Sequence, residues 1–120
     1  MAVSMPKEVA AYVESVNDHD SAAFIELFST DARIADAGRE FRGVAAIRAW
    51  GEHDIFAPLV TLEVIAVAER DGQTVVTAKV DGNFDRTGLP DPLIIDHYFT
   101  LAGGKIVGLV CRLAGESQAA

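Results

Sequence analysis

The chain has 120 residues, enough for one domain core and too few for two. Half of it is hydrophobic and 23% is charged, which excludes disordered, collagen-like and low-complexity classes. Eighteen acidic against ten basic side chains leave a formal charge of −8, so nucleic acid and anionic membrane surfaces are poor partners by simple repulsion.

The first third reads as helix. Ser4 is placed to cap an N-terminus, Pro6 suits a first turn where its missing N–H costs little, and Glu8 suits the positive helix end. Val9, Tyr12, Val13 and Val16 recur at helical spacing and form one apolar face. Asn17-Asp18-His19 breaks the pattern, and Asp20 is placed to cap a second helix with Ala23, Phe24, Leu27 and Phe28 inward. The two helices make a short antiparallel pair. Ser29-Thr30-Asp31 reads as a turn, after which residues 32–36 alternate, with Ile34 and Asp36 on one face and Arg33 and Ala35 on the other. Gly38 and Gly43 bracket a short excursion through residues 39–42. Gly43, Ala46, Ile47 and Trp50 then set a third helix that ends near His53-Asp54.

From Pro58 onward the chain is strand-rich. A β-branched run from Leu59 to Ala68 meets the two-residue turn Asp71-Gly72 and returns from Gln73 to about Phe84. A second turn spans Arg86 to Pro92, a third strand Leu93 to Leu101, a third turn Gly103-Gly104, and a fourth strand Lys105 to Leu113. Residues 114–120 read as a frayed tail of one domain, 1–120. Three helices, a short early strand and a four-strand meander make an α+β fold. The long strands carry apolar residues on both faces, as at Val75 with Val76 and Ile94 with Ile95, so the face left bare by the helices is expected to pair in a homodimer through the sheet.

Several machineries are missing. His19, His53 and His97 are far apart and no cysteine cluster exists, so no metal site is expected. There is no serine-hydrolase elbow, dinucleotide fingerprint or phosphate loop. Cys111 lies in an apolar strand as a packed thiol, and a lone cysteine suits a reducing cytoplasm. The first ten residues show no apolar stretch of a signal peptide, and no run approaches the ~20 apolar residues that span a bilayer.

Asp96 stands out, because aspartate is depleted in strands and rarely buried without a partner. Alternation puts it on the side of Ile94 and Tyr98. Two readings stay open: a carboxylate on an edge or dimer face paired with His97 or an arginine, or a carboxyl group in an apolar cavity with its proton affinity raised by desolvation. Asp36 reads as a solvated turn carboxylate or, if Ile34 points inward, as a second cavity carboxyl. Tyr12, on the apolar stripe of the first helix, reads by itself as core with its hydroxyl satisfied nearby.

Residues 11–20 and 24–36, with Phe41-Arg42-Gly43-Val44-Ala45-Ala46-Ile47 and the closing Gly103-Gly104-Lys105-Ile106, resemble the NTF2-like (SnoaL-like) superfamily over nearly the whole chain. The resemblance implies a conical barrel, with three N-terminal helices packed in a curved, mostly antiparallel sheet and a cavity at its open end. Within that superfamily the sequence is most similar to bacterial ketosteroid isomerases. Tyr12, Asp36 and Asp96, the last ten residues before Ile106, fall on the places of their catalytic residues. The chemistry so implied is double-bond migration in an apolar β,γ-unsaturated ketone or steroid. Asp36 would be the general base, Tyr12 and protonated Asp96 would form the oxyanion hole, and no metal or organic cofactor would be needed. Val16, Phe28, Trp50, Phe56, Phe84 and Leu113 would form the substrate wall. Phe28 and Gly51 stand where some of those enzymes carry supporting tyrosines, and Leu113 where some carry an indole. The alternatives are a SnoaL-like polyketide cyclase and a non-catalytic small-molecule-binding protein.

Overall fold

In the computed structural model, which describes residues 5–114, helix α1 spans Lys7–Asn17 and turns Val9, Tyr12, Ser15 and Val16 inward. Pro6 is its N-cap; the expected cap Ser4 and the tail from residue 115 lie outside the described residues. Asn17 ends the helix with a two-way clasp on the backbone of Leu62. Its side-chain amide donates to the Leu62 carbonyl at 3.0 Å and its side-chain oxygen accepts from the Leu62 N–H at 2.7 Å. Helix α2 (Ser21–Glu26) is capped by Asp20, whose carboxylate accepts from the Ala23 N–H at 3.1 Å, as expected. Only Phe24 of this helix is buried; Phe28, expected on the same helical face, opens the next strand instead.

Strand β1 (Phe28–Asp36) absorbs the residues read as a turn at Ser29-Thr30-Asp31. The irregularity survives as a shift of register against its neighbour between Phe28 and Arg33, the mark of a bulge. The excursion after Gly38 is a second strand, β2 (Arg39–Arg42), paired antiparallel to β1. Helix α3 (Val44–Gly51) runs on into a π-helical turn, Glu52–Phe56, in place of an ordinary helix end.

The meander follows as β3 (Thr61–Arg70), β4 (Gln73–Asp81), β5 (Ile94–Ala102) and β6 (Lys105–Leu113). Strand β4 stops three residues short of Phe84, which lies in the loop before β5. Both residues of the turns Asp71-Gly72 (φ 54° and 80°) and Gly103-Gly104 (φ 59° and 78°) take positive φ, as two-residue hairpins demand. The six strands form one curved, unclosed sheet in the order β2-β1-β6-β5-β4-β3, antiparallel except where β1 meets β6. Helix α1 packs against both β3 and β6, so the sheet wraps it and the core lies between them. This is the expected α+β cone. No helix among the described residues is long and apolar enough to cross a membrane.

Candidate functional site

Strands β1, β6, β5 and β4 are neighbours, and their register sets Asp36 beside Cys111, Cys111 beside His97, and His97 beside Val76. Residues directly opposite one another in a sheet share a face. Asp36, Cys111 and His97 therefore stand in one cross-strand row, and with Tyr12 of α1 they line a cavity of about 1140 Å³. That volume lies beyond the roughly 300–1,000 Å³ usual for small-molecule sites, and most of the wall is apolar.

Asp36 is oriented by two donors. Its Oδ2 accepts from the Trp50 indole N–H at 3.1 Å and from Arg39 at 3.0 Å. Arg39 also donates to Asp54 at 2.5 Å, and Asp54 lies 2.6 Å from His53 Nδ1. The π-helical turn thus hangs Asp54 over Arg39, and one guanidinium bridges two carboxylates at the mouth. Burial opposes ionisation of Asp54, but the hydrogen bonds from Arg39 and His53 outweigh it and hold its carboxyl below the usual range. No hydrogen bond engages Oδ1 of Asp36 among the described residues, which leaves it a free acceptor.

Tyr12 is held by rings. Its centroid lies 5.1 Å from Phe99 and 6.3 Å from Phe28, both edge-on, and 5.6 Å from Phe24. Gly51 permits this cluster: a Cβ there would stand 2.8 Å from the Phe24 ring. Of the two places where the resembled isomerases carry tyrosines, Phe28 packs on Tyr12 directly and Gly51 leaves room for Phe24, which also packs on it. Its hydroxyl has no hydrogen-bond partner among the described residues, and no sealed side-chain oxygen or nitrogen there lacks one. The hydroxyl accordingly opens to the cavity. Burial, then the electrostatic influence of Cys111 and Asp36, pushes its pKa well above the ordinary tyrosine value, so it remains an O–H donor.

Asp96 does not join them. Leu93, just before β5, and Ile95, His97 and Phe99 of β5 face the core and cavity, and Asp96 goes to the other face of the sheet. There it accepts a hydrogen bond from the Thr77 hydroxyl at 2.5 Å, beside a small hollow of about 120 Å³ also lined by Arg70. The expectation that Tyr12, Asp36 and Asp96 converge is corrected to two of the three, and His97 holds the inward place. The reason is parity: one step along a strand reverses the side chain's face. His97 was not singled out by the sequence reading, although its alternate neighbours are Leu93, Ile95, Phe99 and Leu101 while those of Asp96 include Thr100 and Ala102. That contrast was the available signal.

Of the expected wall, Val16, Trp50, Phe84 and Leu113 line the cavity. Phe28 and Phe56 do not; they pack behind it against Phe24, with centroids at 5.1 and 5.3 Å. Among the described residues no group of three or more His, Cys, Asp or Glu side chains is arranged to hold a metal ion.

The comparisons agree with this architecture. A family model of the SnoaL-like domain matches residues 9–109. A "putative polyketide cyclase" from Sinorhizobium meliloti superposes with a TM-score of 0.80 at 28% identity, covering 90% of this chain and 95% of that one. A "putative ketosteroid isomerase" from Kribbella flavida gives 0.72 at 12% identity over 88% and 73% of the two chains. The orange carotenoid protein of Anabaena (Nostoc), solved binding canthaxanthin, gives 0.77 at 21% identity over 94% of this chain and 38% of that one, and these last two show the shared fold alone. No curated protein matches. With a match over most of its length and an open-ended cone around a ligand-sized cavity, the chain belongs to the SnoaL-like domain family of NTF2-like fold.

Proposed function

We propose that the protein is an enzyme that moves a proton at the carbon beside a ketone of an apolar small molecule, by chemistry of the ketosteroid-isomerase type. The observation that carries this is the meeting of a free carboxylate oxygen on Asp36 and an unpartnered Tyr12 hydroxyl in one apolar cavity. Asp36 takes the α-proton; Tyr12 donates to the enolate oxygen that forms, in a largely apolar site. The proton then returns to the same carbon or, in a β,γ-unsaturated ketone, to the γ carbon, which brings the double bond into conjugation. The walls at Val16, Trp50, Phe84 and Leu113 hold the apolar body, and the chemistry draws on no metal or organic cofactor. A cytoplasmic homodimer, paired through the outer face of the sheet, completes this reading.

Aldol-type ring closure, as in a polyketide cyclase, is the second reading. It gains from the outward placement of Asp96, because it does not require two oxyanion donors of the isomerase kind, and from the likeness to the Sinorhizobium protein. One experiment separates them. The purified protein is mixed with a Δ5-3-ketosteroid and the conjugated-enone absorbance is followed, with deuterium uptake at the α carbon of simple apolar ketones measured in parallel. Conjugation that disappears in Asp36→Asn supports the isomerase. Deuterium uptake without conjugation moves the assignment to a ketone of another kind, and the absence of both signals refutes proton transfer.

A further inference from the structure

The cavity holds a polar atom that this mechanism leaves unused. His97 is 5% exposed, and its Nδ1 lies 3.2 Å from the Val76 carbonyl oxygen. A carbonyl only accepts, so Nδ1 carries the hydrogen and donates it. Burial lowers the imidazole pKa, against the pull of the Val76 and Ile95 carbonyls and of Asp36 and Asp96, and so favours the neutral ring. In a neutral ring with hydrogen on Nδ1, Nε2 is a bare lone pair. No hydrogen bond engages Nε2 among the described residues, and it is not sealed from the cavity the ring lines. Phe99 stacks beside the ring at 6.4 Å and fixes its plane.

Three unpaired polar atoms of the cavity, on Tyr12, Asp36 and His97, differ in what they ask of a ligand. Tyr12 offers one hydrogen, while Asp36 Oδ1 and His97 Nε2 each ask for one. A plain ketone offers only an acceptor and leaves Nε2 facing apolar carbon, at the cost of an unmet hydrogen bond. We propose that His97 is a specificity-determining residue whose Nε2 accepts a hydrogen bond from a hydroxyl of the ligand, so that the substrate class is an apolar compound carrying both a carbonyl and a hydroxyl. The inference rests on the proton-transfer reading only for the carbonyl end; the hydroxyl end stands on His97 alone. The titratable groups around the ring are Asp36 from β1, Cys111 from β6 and Tyr12 from α1, with Asp96 on the far face of its own strand.

The test uses the intact protein labelled with ¹⁵N. Ring nitrogen spectra at pH 7 are recorded alone, with 2-naphthol, and with 2-methoxynaphthalene, which has the same body and no O–H. The expected result is hydrogen on Nδ1 in the free protein and an Nε2 resonance that moves with the naphthol and stays put with the ether. In His97→Leu, 2-naphthol affinity falls about three- to tenfold while ether affinity holds, and His97→Gln, which restores an acceptor oxygen, recovers most of the loss. Hydrogen on Nε2, equal response to both probes, or a naphthol that binds no better than the ether or not at all overturns the proposal. These readouts involve no turnover, so they fail independently of the Asp36 assay.

Discussion

Asp36 and Asp96 are the same side chain in the same sheet, and the two faces of that sheet give them opposite surroundings. On the concave face Asp36 ends a row with Cys111 and His97 and looks into about 1140 Å³ of largely apolar space. On the outer face Asp96 lies under Thr77 beside a hollow of about 120 Å³. An aspartate inside an apolar strand is a signal that something unusual is there. It does not say on which side, because facing depends on the company of alternate residues and reverses with one step of register.

The sharpest way to break the comparison is Asp36→Asn, which keeps the shape and removes the proposed base. Proton transfer on an apolar ketone is expected to fall by about 10² to 10⁴, with an unchanged thermal midpoint; deuterium uptake at the α carbon measures it. A variant that turns over normally would remove Asp36 from the mechanism. Next in size is Tyr12→Phe, which keeps the ring cluster and deletes one donor, with an expected loss of about 10² to 10³ in kcat. The wild-type rate should also show no Tyr12 titration up to pH 10, because the folded hydroxyl holds its proton above the ordinary tyrosine value.

The buried imidazole supplies a pH signature of the concave face. The folded pKa of His97 lies below the unfolded value near 6.5, so below that pH the unfolded chain binds a proton that the folded protein refuses. Stability therefore rises with pH in this window and falls on acidification, by up to about 1.4 kcal/mol per unit, until the folded ring itself is protonated. Urea midpoints at pH 7.5 and 5.5 read this slope, and His97→Gln should flatten it. The smallest effect belongs to the outer face. Asp96→Asn keeps an acceptor for the Thr77 hydroxyl and touches nothing in the cavity, so catalytic rates should stay within about twofold of wild type. A collapse of activity in that variant would sink the distinction between the faces.

Much of the fold is legible in the residues. The helical face of Val9, Tyr12 and Val16, the Asp20 cap, and the turns Asp71-Gly72 and Gly103-Gly104 are local signals, and each stands where expected. The misreadings share one cause. Ser29-Thr30-Asp31 has turn chemistry, but pairing of the flanking Phe28 and Arg33 with β6 draws it into a bulged strand, and Phe28 leaves its helix for the same partner. Tertiary pairing overrode local preference in both cases. Of the candidate site, Tyr12 and Asp36 are picked out by the resemblance to ketosteroid isomerases rather than by their own local pattern, and both line the cavity. His97 was missed because its neighbour carried the more conspicuous charge.

By itself the sequence determined the class of fold, the order of its elements and the residue types available for chemistry, since these follow from periodicity, caps and turns that act over a few residues. Only the tertiary structure decided which of those residues meet. The row Asp36–Cys111–His97 joins positions from three strands, and its existence depends on the β1–β6–β5 register. That register is set by burial of whole faces at once, a cooperative choice that no single strand carries in its own pattern.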